Sequence, residues 1–160
     1  MTPEPTPAQA LAAYASAHAD LGSLLADAGR GAGAGLRHRA DPDGWTVAEI
    51  LLHLADTEFT HGVRLRRMLT EVSPLWEMWD EKDYLQRMNY AQRDPADAVA
   101  LVVAARTLNL RLLETLTPQD WARTGVHPHY GDVDVARHLE LGNGHIRDHV
   151  AQAREVLATL

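Results

Sequence analysis

The chain contains no cysteine. That one absence excludes disulfides, thiolate metal ligands and a protein thiol nucleophile, so any metal must be held by His, Asp or Glu. Lysine is nearly missing too: Lys82 stands alone, and the other basic residues are scattered arginines. With a formal net charge of -7, the chain lacks the clustered basic surface that binds phosphate backbones, which argues against a nucleic-acid partner. No apolar run approaches the roughly 18 to 20 residues that cross a bilayer, and the opening "MTPEPTPAQA" has no basic or apolar leader region. These absences predict a soluble, cytoplasmic protein with no membrane partner.

What remains is ordinary globular composition: 160 residues, 46% hydrophobic and 23% charged. The length fits a single domain over residues 1–160. Abundant Ala, Leu, Arg and Glu favour helix, and strands are not expected. "AQALAAYASAHADLGSLLADA" carries apolar residues at helical spacing and reads as one first helix, ended by "GRGAGAG"; loop then continues to Trp45. Thr46 with Glu49 three residues on has the spacing of a capping box, so a second helix starts there and runs to about residue 70. Residues 72–94 form a long connection with one short helical stretch near "EKDYLQRM". Asp94 and Pro95 open a third helix to about residue 115. "TPQDW" opens a short turn before the loop "HPHYGD", and a fourth helix fills about residues 133–158.

Four apolar-striped helices of this length predict an all-α four-helix bundle. A connection of over twenty residues is long enough to cross the bundle. It lets helices 2 and 3 run parallel, in an up-down-down-up order.

Against this frame stand nine histidines. His145 and His149 are four apart on helix 4 and share a face, so both imidazoles can meet one ion. Chance alone gives about 0.5 such pairs at this composition, and "HIRDH" lacks the Glu of the zincin motif. A third ligand comes from another helix. If helices 2 and 4 are antiparallel neighbours, a rise of about 1.5 Å per residue sets His53 level with about residue 151 and His61 level with about residue 144. Spacing leaves both open. His138 lies roughly 10 Å along the axis from His145, too far to share an ion. His18, His38, His127 and His129 have no helical companion, and the four tryptophans read first as core cover. Glu49 and Asp56, one turn either side of His53, read as solvated charges or as acceptors for its ring N–H.

The stretches "WTVAEILLHLADTE", "RLRRMLTEVSPLWEMWDE", "LLETLTPQDWARTGVHPHYG" and "GHIRDHVAQ" resemble the DinB-like superfamily, nearest its YfiT-like branch of metal-dependent hydrolases and bacillithiol S-transferases. The likeness covers roughly residues 45–155. It implies a four-helix bundle of up-down-down-up order with one divalent metal, zinc or nickel, or else iron or manganese, on three histidines. Carried over by motif, these are His53, His145 and His149; beside them Glu49, Asp56, His61 and His127 are the candidates for supporting or pocket residues, and no catalytic residue is assigned. The resemblance further implies transfer of a small-molecule thiol to an electrophile, or hydrolysis by metal-bound water, in a homodimer. A metal-binding bundle without turnover is the third reading. This chain departs from the relatives it resembles in having Glu58 where they often carry a second His just after His-Leu-Ala-Asp-Ser, and Asn143 and Gly144 where they carry an aromatic just before the late pair.

Overall fold

The computed structural model describes residues 5–29 and 33–160; the first four residues and part of the "GRGAGAG" stretch lie outside them. Its helices are α1 (Pro7–Ser16), α2 (Ala19–Gly29), α3 (Ala34–Arg37), α4 (Val47–Thr70), α5 (Glu81–Arg87), α6 (Pro95–Leu113), α7 (Pro118–Trp121) and α8 (Val135–Leu157), with a 3₁₀ turn at Tyr90–Gln92. Two short strands, β1 (Thr124–His127) and β2 (Gly131–Asp134), precede α8.

The helix starts follow local chemistry. Thr46 accepts from the Glu49 backbone N–H at 3.2 Å, and the Glu49 carboxylate accepts from the Thr46 N–H at 2.7 Å. This reciprocal cap satisfies two N–H groups that the first turn leaves unpaired, and such caps contribute about 1 kcal/mol. Asp94 caps α6 with Pro95 behind it, and Thr117 with Asp120 closes a second capping box before α7.

Three departures from the sequence reading are clear. The first helix is two, broken at Ala17 and His18, where the Ser16 hydroxyl donates back to the Ala12 and Ala13 carbonyls and competes with the helical ladder. The end of the glycine stretch and the two residues after it form α3 instead of continuous loop. The "HPHYGD" loop is the turn of a β-hairpin that pairs Thr124 with Asp134 and His127 with Gly131. The hairpin also captures the crossover: Trp76 N–H donates to the Val126 carbonyl and Val126 N–H to that of Pro74, each at 2.9 Å.

Side-chain pairs fix the helix directions. Glu58 meets Arg106 and Arg66 meets Asn109, so residue numbers rise together and α4 and α6 are parallel. His53 lies beside His145 and His149, whereas His61 lies beside His138, so α4 and α8 are antiparallel. Tyr14 shares Arg106 with Asn143, and Asp20 meets Arg154, which sets α1 and α2 parallel to α8. The order is up-down-down-up, made possible by the long passage through α5.

The core has two apolar clusters. One gathers Leu21, Leu51, Leu54, Val102, Ile146 and Val150; the other gathers Leu65, Met68, Trp76, Leu113, Val135 and Leu139. Between them lies a buried polar layer. Arg106 Nη1 donates to Glu58 at 3.0 Å, and Arg106 Nη2 donates to Asn143 Oδ1 at 2.6 Å and to the Tyr14 carbonyl at 2.9 Å. The Tyr14 hydroxyl completes the set on the other Glu58 oxygen at 2.8 Å, and its ring lies under the Arg106 guanidinium. Glu58 and Asn143 are thus partners of a single arginine. Among the described residues no helix is long and apolar enough to cross a membrane.

Candidate metal centre

Antiparallel packing of α4 on α8 brings His53, His145 and His149 together. One ring nitrogen of each lies within 4.8 Å of those of the other two, and Nε2 of His53 is 2.8 Å from Nε2 of His145. Ring centroids are 4.4 to 5.0 Å apart and the rings are steeply inclined to one another. Tetrahedral nitrogen ligands at 2.0 to 2.1 Å from zinc sit about 3.4 Å from each other, so small side-chain adjustments suit the set to one ion.

The surroundings prepare these rings as ligands. Burial, and then the neighbouring His145 and His149, push the His53 pKa down to about 3. Burial and His149 likewise push His145 down to about 4. Both are neutral at pH 7, the form that binds metal. Nδ1 of His149 lies 2.8 Å from the Gln152 amide oxygen, and an oxygen there only accepts. The proton therefore sits on Nδ1, leaving the Nε2 lone pair for coordination.

Glu49 and Asp56 do not take the part of acceptor for the His53 ring. Glu49 is held by Arg39 at 2.7 Å and by the Thr46 backbone. Asp56 accepts from the Tyr90 hydroxyl at 2.6 Å. Arg39 and Tyr90 are partners that sequence spacing on α4 does not reveal, and Nδ1 of His53 is buried without a hydrogen bond. The nearer polar neighbour is Thr57, its hydroxyl 3.5 Å from His53 Nε2.

His61 stands apart from the three. Its ring stacks on that of His138 at 4.8 Å, and His138 Nε2 donates to the His61 carbonyl at 3.1 Å. It also explains Gly142, because a Cβ there would lie 3.0 Å from His61 Nδ1. Gly144 is different: a Cβ would meet only the Arg147 side chain at 3.7 Å, and the glycine borders open space.

That space is a cavity of about 500 Å³ with His53 and His145 in its wall. His61 and His127 also line it, as do Arg64, Trp76 and Trp79. Trp45, Trp76 and Trp121 pack on the apolar clusters as expected of core cover, whereas Trp79, and Trp76 on its other side, line the cavity. Trp79 lies 5.4 Å from the His53 ring, Trp45 stacks on His149 at 6.0 Å, and Trp76 packs edge-on to His127 at 5.1 Å. Thr57, Gln152 and Arg64 were not singled out by sequence; the first two lie one turn from a triad histidine, the signal that could have found them.

Fold and site together define a helical bundle with an open three-histidine centre beside a solvent-reaching cavity. The DinB superfamily model matches residues 32–153, and the chain belongs to that superfamily. It is 31% identical over 114 residues to YfiT of Bacillus subtilis and 30% identical over 109 residues to a protein of Oceanobacillus iheyensis, both provisionally named metal-dependent hydrolases. These alignments cover 71% and 68% of this chain, but only 64% and 62% of the respective relatives. The solved structure of YfiT, described as a four-helix bundle of unusual topology, superposes with a TM-score of 0.84 at 24% identity, covering 98% of this chain and 91% of that one. That likeness establishes the fold.

Proposed function

We propose that the protein is a metal-dependent enzyme that binds one divalent ion through His53, His145 and His149 and transfers a small-molecule thiol to an electrophile in the adjoining cavity. The observation that carries this reading is the convergence of three buried or half-buried imidazoles on one point that also borders the cavity. Three protein ligands leave a fourth position free, the pattern of catalytic rather than structural sites. An all-imidazole set suits zinc or nickel, and also iron. When bound, such an ion supplies Lewis acidity that lowers the pKa of a coordinated thiol or water.

The chain's own residues supply the rest. Burial keeps His53 and His145 neutral, Gln152 fixes the His149 tautomer, and Trp45 and Trp79 shield the His53 and His149 rings. Among the described residues no carboxylate hydrogen-bonds to a triad histidine, and Glu49, Asp56 and Glu58 are all engaged elsewhere. A thiol that the ion deprotonates outright needs no neighbouring base, which favours transfer. Hydrolysis of an ester or amide is the second reading, favoured by the names of the relatives. A cytoplasmic homodimer belongs to the same proposal.

The test is metal-reconstituted protein offered a low-molecular-weight thiol with a chlorinated aromatic acceptor, and separately an activated ester. Thiol-dependent, metal-dependent conjugation supports transfer; ester turnover without thiol supports hydrolysis. Absence of both from protein carrying one ion per chain overturns the enzymatic reading.

A further inference from the structure

The proposed function leaves Arg64 unused. This arginine is half-buried in the wall of the cavity that holds His53 and His145. Its Nη2 donates to the Glu77 carbonyl and touches the Met78 sulfur, and its guanidinium lies 4.9 Å from the centre of the Trp76 ring. Among the described residues no carboxylate pairs with it, and Nη1 and Nε make no hydrogen bond. A guanidinium presents five N–H donors in a planar fork, so most of its donors remain available at the cavity wall. Burial pushes its pKa down, as expected for a partly desolvated cation without a counter-charge.

The other charged groups facing this space do not neutralise Arg64. Arg137 and Glu140 pair with each other. Glu81, Asp148 and Arg147 are exposed at the rim. An unpaired, desolvated cation is costly to keep unless something pairs with it, and the guanidinium fork matches a carboxylate or a phosphate in two-point geometry.

Position gives the ligand a shape. Arg64 follows His53 by eleven residues on α4, roughly 16 Å along the axis. Helical side chains lean toward the N-terminus, which carries the guanidinium back toward the histidines and leaves a separation on the order of 10 Å. Trp76 and Trp79 wall the same cavity with flat apolar surface. We propose that the cavity takes an elongated small molecule ending in an oxyanion, carboxylate or phosphate, which Arg64 anchors while the other end reaches the three histidines. This rests on the metal-site reading given above.

Binding calorimetry on zinc-loaded protein tests it with 8-mercaptooctanoate, 8-mercaptooctylphosphonate and 8-mercaptooctanol, which share a thiol and chain and differ at the far end. The expected result is that at least one acid binds about tenfold or more tightly than the alcohol, as a charge-assisted hydrogen bond gives; the stronger of the two acids identifies the oxyanion. Arg64→Gln should abolish that preference while leaving the alcohol within about twofold, and Arg64→Lys should retain part of it. Equal binding of acids and alcohol by the native protein, or equal weakening of all three by Arg64→Gln, overturns the anchor. If thiol binding is the same with and without zinc, the metal-site reading fails instead. Octanoate against octanol on the same protein then decides the anchor alone: a preference that Arg64→Gln abolishes supports it, and equal binding overturns it.

Discussion

Glu58 and Arg106 form an ion pair 3.0 Å long in the middle of the bundle, with 4% and 2% of their side-chain surfaces exposed. Tyr14, Asn109 and Asn143 surround it, so four of the chain's helices, α1, α4, α6 and α8, meet at one polar layer.

Removing one partner strands the other charge in a place water does not reach. Arg106→Met or Glu58→Gln should therefore lower stability by about 3 to 5 kcal/mol in denaturant unfolding. The double variant Glu58→Gln with Arg106→Met should cost less than those two single changes added together. Additive losses would show that the layer is held by packing and not by charge.

Metal binding should depend on the triad and not on the second histidine pair. Zinc at a hundred times its Kd should raise stability by about 2.7 kcal/mol, because the ion binds the folded state. His149→Ala and His53→Ala should erase that increase in a thermal melt while leaving a helical, cooperative protein. His61→Ala should keep it. Unfolding of the native protein when its ion is chelated away would make the centre structural.

Acid should destabilise the metal-free protein earlier than carboxylate titration alone predicts. His53 and His138 are each 1% exposed; burial chiefly lowers their pKa values to about 3 and about 4. The unfolded chain, with histidines near 6.5, then binds more protons than the folded one as pH falls. Stability is complete above about pH 6.5 and declines toward pH 4, by up to about 1.4 kcal/mol per pH unit for each such histidine. His138→Gln should flatten the slope, measured by chemical denaturation across that window; an unchanged slope would remove His138 from the account.

Gly142 and Gly144 should respond oppositely to alanine. At Gly144 the new methyl meets ordinary contact only, and the helix gains about 1 kcal/mol from the better helix former. At Gly142 it presses on a His61 ring already stacked against His138, so that gain should be cancelled or reversed. Thermal melts of the two variants give the comparison directly.

Much of this was readable from neighbouring residues. Thr46 with Glu49, Asp94 with Pro95, and Thr117 with Pro118 mark helix starts because capping is a three- or four-residue affair. The convergence of position 53 with 145 and 149 follows from rise per residue once α4 and α8 are antiparallel, though the choice of His53 over His61 needed the family motif. What stayed hidden is long-range. Glu49 turns to Arg39 and Asp56 to Tyr90, partners that no helical spacing points to. The hairpin was missed because its strands have four residues each and β2 offers only Val133 to the core. Arg106 reads as a surface arginine until Glu58 is known to lie opposite.

The bridge between Leu75 and Val126 joins segments some fifty residues apart and sets Trp76 against Gly125, where a Cβ would fall 2.3 Å from the indole nitrogen. The crossover is therefore riveted to the hairpin on the side that carries the tryptophans, and free of that clamp beyond residue 80. Engineered insertions should be tolerated near Met88, where the chain is exposed, and be ruinous between 74 and 79. The Trp76 side of the cavity wall is thus anchored by the hairpin, more like a socket than a closing jaw.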